Sequence, residues 1–264
     1  MENSKNNNEN FWIGGLHCVK SALENPNRKI LEVIFLNEKK LNKINLQNIK
    51  NKQKDIKYFN KIFDEEFAHQ GIAALVSKLP NYNLSLELKN SSLDKFIILN
   101  EITDNRNIGS IIRSSLAFGY ENILIDKRIF NEKSYNLIKA SSGAIEKVKI
   151  FQVSNIKNGI KILKENNFWI YGLDSSAMQD IHGVTFQKKI AFLFGSEEKG
   201  IEKNIKTYCD YLIKINIKNI DSLNVSNAVS ATLAIANNKN YWFKFPKKLG
   251  IKFSYILNLS TELL

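Results

Sequence analysis

Three polar loops follow three apolar runs of this chain, and each loop carries side chains that could hold a substrate. The loops at 101–115, 195–200 and 222–226 follow the runs at 96–100, 190–194 and 211–217. If these runs are parallel strands of one sheet, the loops meet at its carboxyl edge, where open α/β sheets bind ligands. Hydroxyl, amide, carboxylate and guanidinium groups would then surround one pocket.

Each candidate side chain in these loops also has a structural explanation. Asn107 and Ser222 are of residue types favoured as helix N-caps. Glu197 could complement a helix dipole at the start of a new helix, and Arg113 could be a solvated helix edge. Asn224 has no such simple role. Because three separate loops carry these polar groups, the pattern favours a shared pocket over capping alone.

The sequence disfavours several classes of enzyme. It has no Gly-x-Gly-x-x-Gly fingerprint, no P-loop and no Ser-His-Asp order, so hydride transfer and ATP hydrolysis are poorly supported. Cys18 and Cys209 lie outside any Cys-x-x-Cys or Cys/His spacing, so we predict no metal site and no disulfide framework. Apolar runs fall short of the roughly 20 residues of a spanning helix, which favours a cytoplasmic protein.

The charge balance favours a polyanionic partner. Lys and Arg total 38 against 26 Asp and Glu, a net charge of +12. Positive surface potential attracts nucleic acid over long distances. The chain is also rich in Lys, Asn and Ile together, which an AT-rich genome would produce without selection for binding. RNA binding is therefore the leading interpretation, and compositional bias is the alternative.

The periodicity predicts two α/β units that would position these loops. We expect a disordered lead at 1–10, a small unit at 11–79, a linker at 80–95, a larger unit at 96–241 and a tail of unassigned role at 242–264. In the small unit the pattern predicts a helix over 17–24, strands at 31–36, 56–59 and 72–76, and a Lys/Asn-rich helix or loop up to residue 54.

Strand and helix signals alternate in the larger unit. The predicted strands lie near 96–100, 122–126, 147–153, 168–173, 190–194 and 211–217. Strands separated by helices indicate right-handed crossovers and a mostly parallel sheet covered on both faces. In the last helix the apolar spacing places six residues on one face: Val225, Ala228, Val229, Thr232, Ile235 and Ala236.

Three segments in order resemble the motifs of the SpoU (TrmH-type) RNA ribose 2'-O-methyltransferases. They are NRNIGSIIRSSLAFG at 105–119, FGSEEKGI at 194–201 and SLNVS at 222–226. In the small unit, IGGLHCV at 13–19 and HQGI at 69–72 are similar to the L30e-like RNA-binding domain of the family's ribosomal RNA branch. Asn216 stands where members usually carry proline, and the loop before Ser222 is about one residue shorter than usual.

The resemblance implies a SPOUT-type α/β fold with a trefoil knot, S-adenosylmethionine as cofactor and a homodimer with sites near its interface. It implies methylation of a ribose 2'-hydroxyl, most readily of a guanosine in 23S ribosomal RNA; transfer RNA, or a non-catalytic role in ribosome assembly, are the alternatives. The implied catalytic residues are Arg113, Asn107, Glu197, Ser222 and Asn224, and the implied cofactor-binding residues are Gly195, Ile215 and Leu223.

Overall fold

A computed structural model describes residues 10–46, 48–63 and 69–242 as two α/β units. The predicted lead at 1–10 and tail at 242–264 lie outside the described residues, apart from Asn10 and Trp242. Within those described ranges, no helix is long and apolar enough to cross a membrane.

The first unit is a four-stranded sheet with two flanking helices. Its elements are β1 (Phe11–Gly14), α1 (Leu16–Glu24), β2 (Ile30–Phe35), β3 (Asn51–Gln53), α2 (Ile56–Ile62) and β4 (Ile72–Val76), with a short 3-10 helix at Glu38–Lys43. The strand order is β1-β4-β2-β3, and only the β2–β3 pair is parallel. The predictions of α1, β2 and β4 are confirmed.

The predicted strand at 56–59 is wrong, because these residues begin helix α2. Asp55 caps the helix by accepting a hydrogen bond from the Tyr58 backbone N–H, and Phe59 is fully buried. The predicted linker at 80–95 contains a helix, α3 (Leu84–Asn90), whose Leu84 packs into the core of the second unit. The boundary between the units at this segment stays a prediction.

The second unit is a seven-stranded sheet in which every neighbouring pair is parallel. Its elements are β5 (Lys95–Leu99), α4 (Asn105–Ala117), β6 (Asn122–Asp126), α5 (Tyr135–Ser141), β7 (Lys149–Val153), α6 (Ile156–Glu165), β8 (Trp169–Leu173), β9 (Gln179–Asp180), β10 (Ile190–Phe194), α7 (Lys203–Lys206), β11 (Tyr211–Lys214) and α8 (Val225–Trp242), with 3-10 helices at Ala144–Lys147 and Ile181–Gly183.

The strand order is β7-β6-β5-β10-β8-β11-β9, which confirms the predicted parallel sheet. Strand β5 is apolar from Phe96 to Leu99 because helices cover both faces of the sheet. Ile97 packs with α4 and α8, whereas Ile98 packs with α6. The carboxyl ends of β5, β10 and β11 lie at one edge of the sheet, as predicted. The trefoil knot stays a prediction.

Helix α4 lies against the sheet and carries the first of the candidate residues. Asp104 caps its start by accepting from the Arg106 backbone N–H at 2.8 Å, so the proposed capping role of Asn107 is wrong. Ile108, Ile111 and Ile112 are fully buried on its inner face. Residue 109 is glycine because a Cβ there would lie 2.6 Å from the backbone oxygen of Leu137 in α5.

The two units are joined through a buried arginine. The Arg28 side chain is 1% exposed and contacts carboxylates of the second unit, Glu132 at 3.4 Å and Glu146 at 3.1 Å. Asn25 also donates a hydrogen bond to Glu146, and Arg28 donates to the backbone oxygen of Ser77. These contacts fix the first unit against the second.

Candidate active site

Three of the predicted side chains meet at the carboxyl edge of the sheet. Asn107 in α4 donates from Nδ2 to Oε1 of Glu197 at 2.8 Å, and Asn224 donates to the same oxygen at 2.6 Å. Asn224 also donates to Oδ1 of Asn107 at 3.1 Å. These contacts form a closed triangle of residues from helix α4 and two loops, each of which follows a different strand of the sheet. Asn107 is 9% exposed, whereas Glu197 and Asn224 lie at the surface.

Glu197 lies in the tight turn after β10, so the prediction that a helix begins at this residue is wrong. The turn is closed by two backbone hydrogen bonds between Ser196 and Gly200. The Glu197 carboxylate instead faces the start of α8, where the Val225 backbone N–H lies 3.5 Å from Oε1. A negative charge at a helix N-terminus is favourable, so Glu197 complements the dipole of a helix that follows it by 28 residues.

Asn224 caps helix α8, a role that the sequence did not suggest. Its Oδ1 accepts hydrogen bonds from the backbone N–H and the hydroxyl of Ser226 at 2.9 and 2.6 Å. The same side chain thereby satisfies a helix terminus and donates to Asn107 and Glu197. Ser222 does not take the capping role that its residue type allows.

Gly195 permits the close approach of two parts of one loop. A Cβ at this position would lie 2.1 Å from the backbone carbon and oxygen of Gly200. The requirement for glycine therefore comes from within the loop, which explains its presence without any ligand. A contact between its backbone and a cofactor stays a prediction.

Arg113 and Ser222 are not brought to the triangle. Both are exposed, and neither side chain forms a hydrogen bond or ion pair with another described residue. Arg113 follows Asn107 by six residues, which is about 9 Å along α4 and about 120° around its axis. The Arg113 guanidinium is therefore available to a molecule that approaches from outside.

The two remaining predicted residues, Ile215 and Leu223, flank the loop between β11 and α8 and are half-buried. In this loop Asn216 donates a hydrogen bond from Nδ2 to the carboxylate of Asp180, the last residue of β9. Asn216 thus connects this loop to the edge of the sheet.

A cavity of about 360 Å³ opens beside the triangle. Its lining includes Asn107, Glu197, Glu101 and Ile129. Glu101 lies two residues after the end of β5 and has a positive φ of 57°, an uncommon conformation that is enriched at functional sites. A hydrogen bond to the Glu202 carboxylate is the main cause that raises the pKa of Glu101. No sequence pattern predicted this residue, because left-handed backbone geometry at a glutamate has no local signature.

Comparison with known proteins decides the family. The model of the SpoU rRNA Methylase family matches residues 94–234, which is more than half of the chain. The chain belongs to this family. A second model, for RNA 2'-O ribose methyltransferase substrate binding, matches residues 12–82. Both units of this SpoU family protein therefore have counterparts in known RNA methyltransferases, which confirms the resemblance.

Named relatives and solved structures agree with this family membership. A TrmH family tRNA/rRNA methyltransferase of Staphylococcus aureus is 32% identical over 232 residues, covering 84% of this chain and 93% of the relative. The SpoU methyltransferase AviRb of Streptomyces viridochromogenes, solved with AdoMet, has a TM-score of 0.74 at 19% identity, covering 88% of this chain and 91% of AviRb. The TrmH/SpoU tRNA modifying enzyme of A. aeolicus has a TM-score of 0.53 at 20% identity, covering 67% and 90%.

The SpoU family protein shows no group of three or more metal-ligating side chains in the part of the chain that the structure describes. The site consists instead of amide, carboxylate and hydroxyl groups, with an exposed guanidinium nearby. Such groups can orient polar substrates by hydrogen bonding.

Proposed function

We propose that this protein transfers the methyl group of S-adenosylmethionine to a ribose 2'-hydroxyl of RNA, with a guanosine of 23S ribosomal RNA as its target. The observation that carries the proposal is the Asn107, Glu197 and Asn224 triangle, which joins three motif loops at one edge of the sheet. The charge of +12 supports a polyanionic substrate.

The residues at this edge fit S-adenosylmethionine. Ile215 and Leu223 are half-buried apolar side chains on the loop after β11, and such surfaces suit an adenine ring. We assign the adenosine contacts to the backbones of Gly195, Ile215 and Leu223. The Glu197 carboxylate complements a sulfonium charge. When bound, the cofactor supplies an electrophilic methyl group.

We assign the polar residues to orientation of the reacting groups. A guanidinium stays protonated in proteins, so Arg113 holds the ribose or an adjacent phosphate rather than taking the hydroxyl proton. That proton is released to solvent as the O–CH3 bond forms and the S–CH3 bond breaks. Asn107 and Asn224 hold Glu197 and the start of α8 in one arrangement, and Ser222 faces the incoming RNA. Orientation of this kind can contribute about 7–11 kcal/mol of barrier reduction.

The first unit is proposed to bind the RNA by its shape and by exposed loop bases, which is how proteins most often recognise RNA. Its fixed position against the second unit supports this role, because a docked unit places the RNA at a constant distance from the site. We further propose that the protein acts as a homodimer with sites near its interface, which sedimentation equilibrium would test.

The activity is tested with labelled S-adenosylmethionine and unmodified transcripts of 23S ribosomal RNA, 16S ribosomal RNA and pooled transfer RNA. We expect methyl transfer to 23S ribosomal RNA, located at a guanosine by 2'-O-methyl mapping. Transfer to transfer RNA alone would refute the proposed target. Cofactor binding without transfer to any of the three would refute the proposed activity.

Arg113→Ala tests the assignment of the guanidinium. We expect turnover to fall at least about a hundredfold, because a charged hydrogen bond to the substrate is lost. The affinity for S-adenosylmethionine, measured by calorimetry, should change little. Arg113→Lys should recover part of the rate. Unchanged turnover in Arg113→Ala would remove this residue from the reaction.

A further inference from the structure

A fourth strand exit at the same edge of the sheet carries a pair of charged residues that the family motifs do not include. Strand β6 is the neighbour of β5, and it ends at Asp126, whose side chain is 5% exposed. The Arg128 guanidinium contacts this carboxylate through Nε at 3.0 and 3.1 Å and through Nη2 at 2.5 Å. These hydrogen bonds are the main reason that the pKa of Asp126 is lowered.

The contact uses only one side of the guanidinium. The Arg128 side chain is 77% exposed, and within the described ranges Asp126 is its only hydrogen-bonding partner. An arginine has five N–H donors in a planar fork. Asp126 uses only the Nε–H and one N–H of Nη2, so both N–H groups of Nη1 and the second N–H of Nη2 have no partner among the described residues. The buried carboxylate thus holds an exposed cation in a fixed orientation.

Arg128 lies at the rim of the cavity beside the Asn107, Glu197 and Asn224 triangle. Its neighbour Ile129 lines that cavity, and so does Glu101, whose charge also acts on Arg128. The turn is rigid, because the Asp126 side chain accepts from the Arg128 backbone N–H at 2.8 Å and the Asp126 carbonyl accepts from Ile129. An RNA strand whose ribose reaches the triangle would pass this rim.

We propose that Arg128 binds a backbone phosphate of the substrate RNA next to the methylated nucleotide, and that Asp126 is the positioning residue that orients it. A planar guanidinium with two parallel donors matches the geometry of a phosphate. Because the guanidinium is already held in place, little side-chain entropy is lost when the phosphate binds. This inference rests on the proposed function, since it places RNA at the same edge.

Arg128→Ala is tested by filter binding to unmodified 23S ribosomal RNA over a range of salt concentrations. We expect the variant to bind RNA about tenfold more weakly than wild type at low salt. The slope of log association constant against log salt concentration should be less steep by about 0.7 to 0.9. In methyl transfer the KM for RNA should rise while kcat and the affinity for S-adenosylmethionine change little. The binding readout stays interpretable even if the RNA proves not to be methylated.

Three comparison variants make the result specific. Lys188→Ala removes an exposed charge at the opposite, amino end of β10 and should leave the salt slope unchanged. Arg128→Lys should keep the salt slope but bind RNA less tightly. Asp126→Asn keeps the oxygen that accepts from the Arg128 backbone N–H, and it should likewise weaken RNA binding without changing the salt slope. An unaltered salt slope and KM in Arg128→Ala would overturn the proposal, as would equal losses in Lys188→Ala.

Discussion

Glu197 uses a single carboxylate oxygen, Oε1, to accept from the side chains of Asn107 and Asn224 and to face the backbone N–H of Val225. These donors belong to two different helices, so one residue fixes the relative position of α4 and α8. Hydrogen bonds to charged acceptors contribute about 1.5–3 kcal/mol each. Glu197 therefore connects the segments that carry Asn107 and Asn224, and it also places a negative charge at the site.

Glu197→Ala should lower turnover by about ten- to a hundredfold, because the buried amide of Asn107 loses its acceptor and the start of α8 is released. Glu198→Ala is the matched control, since Glu198 is adjacent, exposed and forms no hydrogen bond with another described residue. The turnover of methyl transfer and the thermal unfolding temperature, measured for both variants, test this expected difference. Equal effects in the two variants would show that the tie is unimportant.

The three residues of the triangle could be predicted from the sequence, but the hydrogen bonds between them could not. Asn107, Glu197 and Asn224 were predicted because they follow three strands, and parallel strands bring their ends to one edge. The capping role of Asn224 and the reach of Glu197 to α8 depend on distances across the sheet, which no local pattern contains. Asp126 and Arg128 were missed for the same reason.

At the scale of elements, helices α4 and α5 approach each other closely at Gly109. Gly109→Ala would place a Cβ 2.6 Å from the Leu137 backbone oxygen and 2.8 Å from the Ala140 Cβ. Because backbone atoms cannot move aside cheaply, we expect a loss of about 1–3 kcal/mol in the free energy of unfolding, measured by urea denaturation. Ser110→Ala at the adjacent position should be near neutral, and equal stability of both variants would contradict the explanation.

The elements of the second unit were predictable because its buried parallel strands are mostly apolar in their middle residues and alternate with amphipathic helices. The first unit was less predictable. The 56–59 segment has β-type residues, yet the Asp55 cap and the burial of Phe59 make it helical. Strand β3 is exposed throughout, so it has no alternating pattern, and its pairing with β2 decides its conformation.

At the scale of the whole molecule, the position of the first unit depends on a buried ion network. Arg28 is surrounded by Glu132 and Glu146, and the Glu146 side chain is 2% exposed. Burial is the main cause that raises the pKa of Glu146, and the charge of Arg28 opposes that rise. Glu146 also accepts a hydrogen bond from Asn25. The charge of Arg28 thus limits the rise in the pKa of this buried carboxylate.

Arg28→Met should destabilise the protein by about 3–5 kcal/mol at neutral pH, because it leaves buried carboxylates without their cation. The variant removes the group that lowers the pKa of Glu146, so that pKa rises further. A folded-state pKa above the unfolded value gives stability that is present at low pH and lost as pH rises through the folded pKa. The deficit relative to wild type should therefore be larger at pH 8 than at pH 5. Urea unfolding at both pH values measures this deficit in the free energy of unfolding. Combining Arg28→Met with Glu146→Gln should recover part of the loss. A deficit that does not change with pH would show that Glu146 is not the group left unpaired.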